Sequence, residues 1–556
     1  MKTRRGGIRR TACWSVLVAL GAILVAPASA APVPEGAEHS EHYFPSADGT
    51  TLHADVFLPE GRKGKVPVIL LVSPYTATGA NEQGPAVNYE TFLNDGDVFR
   101  RGYAWVQVSL RGVGGSGGCG DMGGRGEQAD AKAAVEWAAA QPWSTGKVGM
   151  WGVSYDAWTQ IMALATKPKG LAAAVVASPL IDFYRGLYMN GVHYAQFWHA
   201  TTGLYAVGDL TPPSVYAPPE QQVNALTGTA MRADCYATNL VQAAQPGRTS
   251  AYWRERDLVA RAAGSTVPVL WSHGFLDANT KPDNFLDVYS ALRGPRRARF
   301  GQFAHRGADS GAIGREGGLE QSIRWFDRYL KGIRPSVADA PVEVQQGDGR
   351  WRAEQQWPPA DVRRLSLPLR PGAYRDAPGN MALGTSPGVN SGVGRWTVTQ
   401  ALPYDAHLAG VARVTARLDL AGPTANLVAL VYDMDPEGPA RLITRGASTV
   451  TGDGQVAFDL YPQDWRLPAG HHLGTLLTGA DDSWFDPGHS GLDVQVVTAS
   501  LSVPFLRYDR DAEPYLEGDP GVDVDQARGT SFPSQTIDAG MVRGPLPPRM
   551  VRRPSR

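Results

Sequence analysis

Ser154 stands in the run Gly152-Val153-Ser154-Tyr155-Asp156-Ala157, between the apolar segment GKVGMW and a stretch of helical periodicity. A serine on a sharp strand-to-helix turn has its hydroxyl pushed above the strand ends, where it can attack a carbonyl. The glycine two residues earlier lets the chain turn tightly. The helix N-terminus offers backbone N–H groups to developing negative charge. Ala157 fills the second small position, where glycine is commoner. Out of context such a serine is a helix cap; strand, turn and helix together favour a nucleophile.

A serine hydroxyl is a poor nucleophile at neutral pH and needs a base that is itself held by an acid. On this kind of turn the chain order is serine, acid, histidine. Asp277 follows VPVLWSHG in SHGFLDANTKP, and His305 follows RARFGQF in GQFAHRG. Both are therefore expected at carboxyl ends of strands, on the same edge as Ser154. Asp283 and Asp287 are rival acids, but they fall in the following helical segment, DNFLDVYSAL. His273 is a rival base, but it precedes the acid and reads as a packed residue beneath the acid loop. An oxyanion also needs donors. The backbone N–H of Tyr155 is one. The second is expected from the SPYTATG loop, where Tyr75 is either a phenol donor or a loop residue packed on its neighbours.

Strands must carry these residues. Leu52 to Leu58 alternates, and PVILLV before Ser73 is a continuous apolar run, as in a strand buried on both faces. Ala131, Ala134, Val135 and Ala138 share one helical face. Strands alternating with helices imply a mostly parallel sheet covered on both sides, over residues 41–178 and 267–340. Between them, residues 179–266 are rich in aromatics and lack a clear strand, which reads as a helical cap insertion. From 341 to 508 short strand-like runs recur between Gly, Pro, Asp and Asn, an all-β sandwich signal. DMDPEG at 433–438 lacks the glutamate of a calcium loop and reads as a turn. Residues 31–40 read as a flexible leader and 509–556 as a poorly ordered tail.

Bulk properties narrow the partners. With 53 basic and 54 acidic residues the net charge is -1, which excludes the basic excess expected of a nucleic-acid or membrane-surface binder. Residues 1–30 carry two arginine pairs, an apolar run from Trp14 to Val25 and the small-x-small site Ala28-Ser29-Ala30, the pattern of a removed signal peptide. A secreted protein without a membrane anchor is expected. Cys119 and Cys235 are then the remaining cysteines, and in an oxidising compartment they are able to pair. Neither belongs to a metal-binding cysteine pattern, so neither metal nor cofactor is expected.

The order PVILLVSPY, RGYAWVQVSLRGVGGSGG, WAAAQPWSTGKVGMWGVSYDA, GFLDANTKP, GQFAHRG and RWRAEQQWPP resembles the X-prolyl dipeptidyl-peptidase and cocaine esterase family of α/β-hydrolases, over about residues 45 to 505. The resemblance implies a hydrolase domain, a helical cap and a C-terminal jelly-roll. It carries the triad onto Ser154, Asp277 and His305, and the oxyanion hole onto the Tyr75 hydroxyl and the Tyr155 N–H. The chain departs from the family at Ser109, often aspartate, and at Ala157. The expected activity is release of Xaa-Pro dipeptides. The alternatives are an esterase or amidase on small acyl substrates and, from another class, a non-catalytic exported ligand-binding protein. A dipeptidyl-peptidase must hold a substrate ammonium, and Asp182, Asp209, Glu220, Asp234, Glu255 and Asp257 are the cap acids available for that.

Overall fold

The computed structural model describes residues 33–75, 92–93, 96–194, 238–239, 241–245, 247–305, 318–336, 338–377, 394–437, 439–452, 454–481, 484–485, 489–511, 514–516, 532–533, 541–542 and 544–553. The N-terminal signal segment lies outside them.

The apolar runs form strands β1 (Ala37–Pro45), β2 (Thr51–Pro59), β3 (Val66–Ser73), β4 (Ala104–Ser109), β5 (Ser144–Val153) and β6 (Leu171–Ala177). After a small hairpin, β7 (Tyr188–Met189) and β8 (Val192–His193), come β9 (Val269–Gly274), β10 (Arg296–Gly301), β11 (Val342–Gln345) and β12 (Trp351–Glu354). All but the hairpin join one sheet, in the order β1-β2-β4-β3-β5-β6-β9-β10-β11-β12. From β4 to β11 the pairings are parallel. Every residue of β3, β4 and β9 is buried, as a strand covered on both faces must be. Val68, Leu70 and Val148 face helices α1 (Arg125–Ala140) and α2 (Tyr155–Thr166). Ile69, Leu71, Trp105 and Trp151 pack with Ile323, Phe326 and Leu330 on the other side.

Two expectations are corrected here. The leader is part of the sheet from Ala37 on, because Ala37 to Pro45 pairs antiparallel with β2. AEHSEHYFP has few apolar residues because an edge strand needs backbone partners more than burial. Within 179–266 the β7–β8 hairpin adds a short ribbon beside three short helices, α3 (Phe183–Leu187), α4 (Ala251–Arg256) and α5 (Val259–Ala262). Residues 195–237 lie outside the described part.

The second half is two antiparallel sheets. One runs β13 (Val362–Leu369), β21 (Asp493–Leu506), β16 (Ala406–Leu420), β19 (Gln455–Leu467), with β14 (Gly372–Arg375) also on β21. The other contains β18 (Pro439–Thr451), β17 (Thr424–Met434), β20 (His472–Thr478) and β15 (Arg395–Thr399) in that order. Leu408, Val414 and Phe505 of the first share a core with Leu427, Ala429 and Leu473 of the second. At DMDPEG the chain makes a plain turn, with Glu437 N donating to Asp435 Oδ1. The tail is held at its far end, a correction to the disorder expected of it. Asp509 N donates to Val551 O and Val551 N to Arg507 O, and Tyr404 donates its hydroxyl to Pro547 O.

A buried knot joins the halves. Asp464 of β19 takes hydrogen bonds from both terminal nitrogens of Arg352 (2.6 and 2.7 Å), from Trp357 Nε1 (2.9 Å) and from His407 (2.7 Å). Gln302, just past β10, reaches Gln463 Oε1 and Asp464 O, each at 3.0 Å.

Candidate active site

Ser154 follows β5 and precedes α2, with φ 64° and ψ -123°, a backbone conformation costly for any residue but glycine. The surroundings enforce it. Ser154 N donates to Ala177 O of β6, while its carbonyl accepts from Ala157 N and Trp158 N in the first turn of α2. Gly152 is required at the turn, since a Cβ there would lie 2.5 Å from Asp156 Cβ. Thr159 ties α2 to the end of β3 by donating its hydroxyl to Val72 O.

The loops after β9 and β10 are laced together by backbone bonds. Phe275 N donates to Gly301 O and Leu276 N to Phe303 O. Gly274 permits this approach, because a Cβ would sit 2.0 Å from Phe303 O. The lacing brings Asp277 to His305 Nδ1, at 2.9 Å from Oδ2 and 3.1 Å from Oδ1. Asp277 is fully buried and also accepts from Asn279 N (2.8 Å), Thr280 N (2.9 Å) and the Thr280 hydroxyl (2.9 Å). Burial pushes its carboxyl up. The His305 field and these hydrogen bonds outweigh that and hold it at about 2. An ionised carboxylate on Nδ1 leaves Nε2 as the imidazole's basic nitrogen. Thr280 Oγ1 also lies 2.9 Å from Ser178 O, and Ser178 N donates to Ser272 O. Thr280 thus links the acid loop to the end of β6, the strand that anchors Ser154.

The rivals sit elsewhere. Asp283 and Asp287 pair with Arg185. His273 is buried, bonds Thr280 O through Nε2 at 2.7 Å and stacks on Phe285. Burial pushes its imidazole down, against the Asp277 charge that raises it, so it stays neutral in place.

Tyr75 follows β3, its N–H held by the Ser73 hydroxyl and its ring edge-on to that of Tyr155, with centroids 6.4 Å apart. Residues 76–91 lie outside the described part. Tyr155 is buried and donates its hydroxyl to Glu127 Oε2 at 2.5 Å. Sequence reading passed over this glutamate. Burial, then the charge of Asp121, push its carboxyl up. It also accepts from the backbone of Asp121, Met122 and Gly123, the loop that follows Cys119. Arg256 of α4 donates to the carbonyls of Asp121 and Met122. The only hint in sequence is the three acids of DMGGRGEQAD, which resembles any polar loop. Cys119 is disulfide-bonded, with its partner outside the described residues.

Of the cap acids, Asp182 pairs with Arg248 at 2.8 Å, Asp257 with the same arginine at 3.6 Å and Glu255 with Arg256 at 2.7 Å. Asp209, Glu220 and Asp234 lie outside the described residues.

The family model for X-Pro dipeptidyl-peptidase (S15 family) matches residues 48–307, and that for the X-Pro dipeptidyl-peptidase C-terminal non-catalytic domain matches 336–503. The chain belongs to the X-prolyl dipeptidyl-peptidase and cocaine esterase family. As a member of that family it is a serine hydrolase, which disposes of the non-catalytic alternative. It is 26% identical to a putative Xaa-Pro dipeptidyl-peptidase of Streptomyces avermitilis, over 83% of this chain and 81% of the relative. It is 27% identical to a cocaine esterase of a Rhodococcus species, over 62% of this chain and 64% of the relative. An α-amino acid ester hydrolase structure shares the family fold, with TM-score 0.68 and 20% identity, over 88% of this chain and all of that one. A CocE/NonD family hydrolase from Staphylococcus aureus does so with TM-score 0.65 and 16% identity, over 85% and 97%.

Proposed function

We propose that this serine hydrolase removes Xaa-Pro dipeptides from the amino ends of peptides, with Ser154 as nucleophile, His305 as base and Asp277 as orienting acid. The observation that carries the reading is the strained elbow at Ser154 on the same sheet edge as a buried Asp277–His305 pair. His305 Nε2 takes the hydroxyl proton as Ser154 Oγ attacks the carbonyl after proline. The tetrahedral oxyanion accepts from the Tyr155 N–H and the Tyr75 hydroxyl. His305 returns the proton to the leaving amine, and the proline carbonyl stays bound to Ser154 as an ester. Water, deprotonated by His305, releases the dipeptide. Relatives named putative Xaa-Pro dipeptidyl-peptidase, matched over 81%, 82% and 84% of their length, support this substrate class.

A carboxylesterase or amidase is the second reading. It is favoured by one observation: each described acid of the α3–α5 region is committed to an arginine, which leaves a substrate ammonium no bare carboxylate there. Comparing Ala-Pro-p-nitroanilide, its N-acetylated form and p-nitrophenyl butyrate decides between them. The peptidase cleaves the free-amine anilide and fails on the acetylated one; hydrolysis of the ester alone selects the esterase. We further propose that the protein is exported. Its arginine-rich, then apolar N-terminal segment and the disulfide at Cys119 support an oxidising compartment.

A further inference from the structure

The edge hairpin β1–β2 carries a group of ligand-type side chains that the hydrolytic site does not use. Side chains of a strand alternate faces, so His39 and Glu41 of β1 share one face with His53 and Asp55 of β2. The register sets Glu41 directly opposite Asp55 and Tyr43 opposite His53. Glu41, His53 and Asp55 each offer one ligand atom, and these atoms lie within 4.8 Å of one another. His53 Nε2 is 3.4 Å from Glu41 Oε2, and His39 Nε2 is 2.8 Å from Asp55 Oδ1.

His53 is the telling residue. Its side chain is 0% exposed; Nδ1 makes no hydrogen bond, and Nε2 faces the Glu41 carboxylate at 3.4 Å. A buried ring nitrogen without a hydrogen bond, as Nδ1 is, is costly, and such groups in folded proteins call for an explanation. The ring is also firmly seated. His53 N donates to Ser116 Oγ, and a Cβ on Gly115 would lie 2.7 Å from the ring's Cγ, so the glycine-rich loop lies flat against it.

We propose that Glu41, His53 and Asp55 bind a zinc ion, with His39 orienting Asp55. Imidazole nitrogen and carboxylate oxygen suit this ion, at bond lengths of about 2.0–2.2 Å. A tetrahedral site then needs ligand atoms roughly 3.3–3.5 Å apart, a closure that the partly exposed Glu41 provides by a change of rotamer. The outer fourth position opens to water through Glu41 and His39, whose side chains are 22% and 14% exposed. Bound there, zinc ties β1 to β2 and holds the His53 ring in place against the 111–118 loop. β2 is separated from β5 by β4 and β3, about 14 Å at the usual strand spacing, so this site is distinct from the one at Ser154. Its ligands include no cysteine and meet across strands, so no short motif in the chain marks it.

The full chain, stripped with EDTA and dialysed, is titrated with Zn2+, and bound metal and melting temperature are followed. The expected result is one Zn2+ per chain and a melting temperature raised by several degrees. Both are lost in Glu41→Gln, whose hydrolytic activity without metal equals wild type. Co2+ in place of zinc gives a visible d–d band in wild type that Glu41→Gln and His53→Gln lack. If wild type takes up no zinc, or if Glu41→Gln binds Zn2+ and Co2+ as wild type does, the site is overturned. Glu41→Gln carries this test even if His53→Gln fails to fold, because it keeps the size of a side chain that reaches the surface.

Discussion

Two aspartates flank the candidate active site, both fully buried, and they are opposite in character. Asp277, on the acid loop, accepts from two backbone N–H groups, a hydroxyl and an imidazole, and is held at about 2. Asp156, in the first turn of α2, has no backbone N–H or imidazole on its carboxylate, and the Ser73 hydroxyl is the one donor near it. Burial pushes it up to about 8, and the nearby Ser73 hydroxyl offsets that only in part. At neutral pH one is an anion and the other an uncharged acid. Burial is common to both, so the donors decide the charge. An anion serves to orient an imidazole. A neutral acid two residues past the nucleophile adds no negative field where an oxyanion must form.

The sharpest test of this contrast is kinetic. Asp277→Asn lowers kcat by about 10^4-fold, as loss of the orienting carboxylate does in serine hydrolases, and Ser154→Ala by at least as much. Asp156→Asn, which keeps shape and neutrality, stays within a few-fold of wild type. A loss at Asp156 comparable to that at Asp277 would show that its charged form is needed.

The next effect is on stability, and its sign differs between the two. Asp277 has a folded pKa below its unfolded value, so its contribution is present above about pH 4 and is lost as pH falls toward 2. Asp156 has a folded pKa above its unfolded value. Its contribution is complete below about pH 4 and is lost as pH rises through about 8. Each unit of difference is worth roughly 1.4 kcal/mol. Asp156→Asn therefore melts higher than wild type at pH 9, with the advantage shrinking toward pH 5. Thermal melts across that range measure it, and a constant difference would place Asp156 among ionised groups.

The smallest effect concerns what holds the anion. Thr280→Val removes the hydroxyl between Asp277 and Ser178 O while keeping its volume. The lost hydrogen bond to a charged group, about 1.5–3 kcal/mol, predicts a fall in kcat of roughly 10- to 100-fold. An unchanged kcat would mean that the two backbone N–H groups suffice.

The same contrast explains what was legible in the sequence. Asp277 could be found because its role depends on position along the chain: after a buried strand, between the serine and the histidine. The parallel sheet was legible for a related reason, since strands buried on both faces, such as VPVILLVS, must be apolar throughout. Asp156 and Glu127 were not found, because their character comes from what folding places around them. β1 was hidden because AEHSEHYFP owes its place to pairing with β2, not to an apolar pattern. PARLITRGASTVT, which forms β18, carries a weak strand signal because small and charged residues interrupt its alternation.

The knot at Asp464 sets a timetable for synthesis. Gln302 lies three residues before His305, and its side chain is gripped by Gln463 and Asp464. A growing chain carries Ser154 long before it has the residues that steady the His305 loop. The last of the contacts on that loop, those from Gln463 and Asp464, form only once the ribosome has passed position 464 of 556. A chain truncated before that point lacks this grip on Gln302 and is expected to hold the His305 loop less firmly than the full chain does.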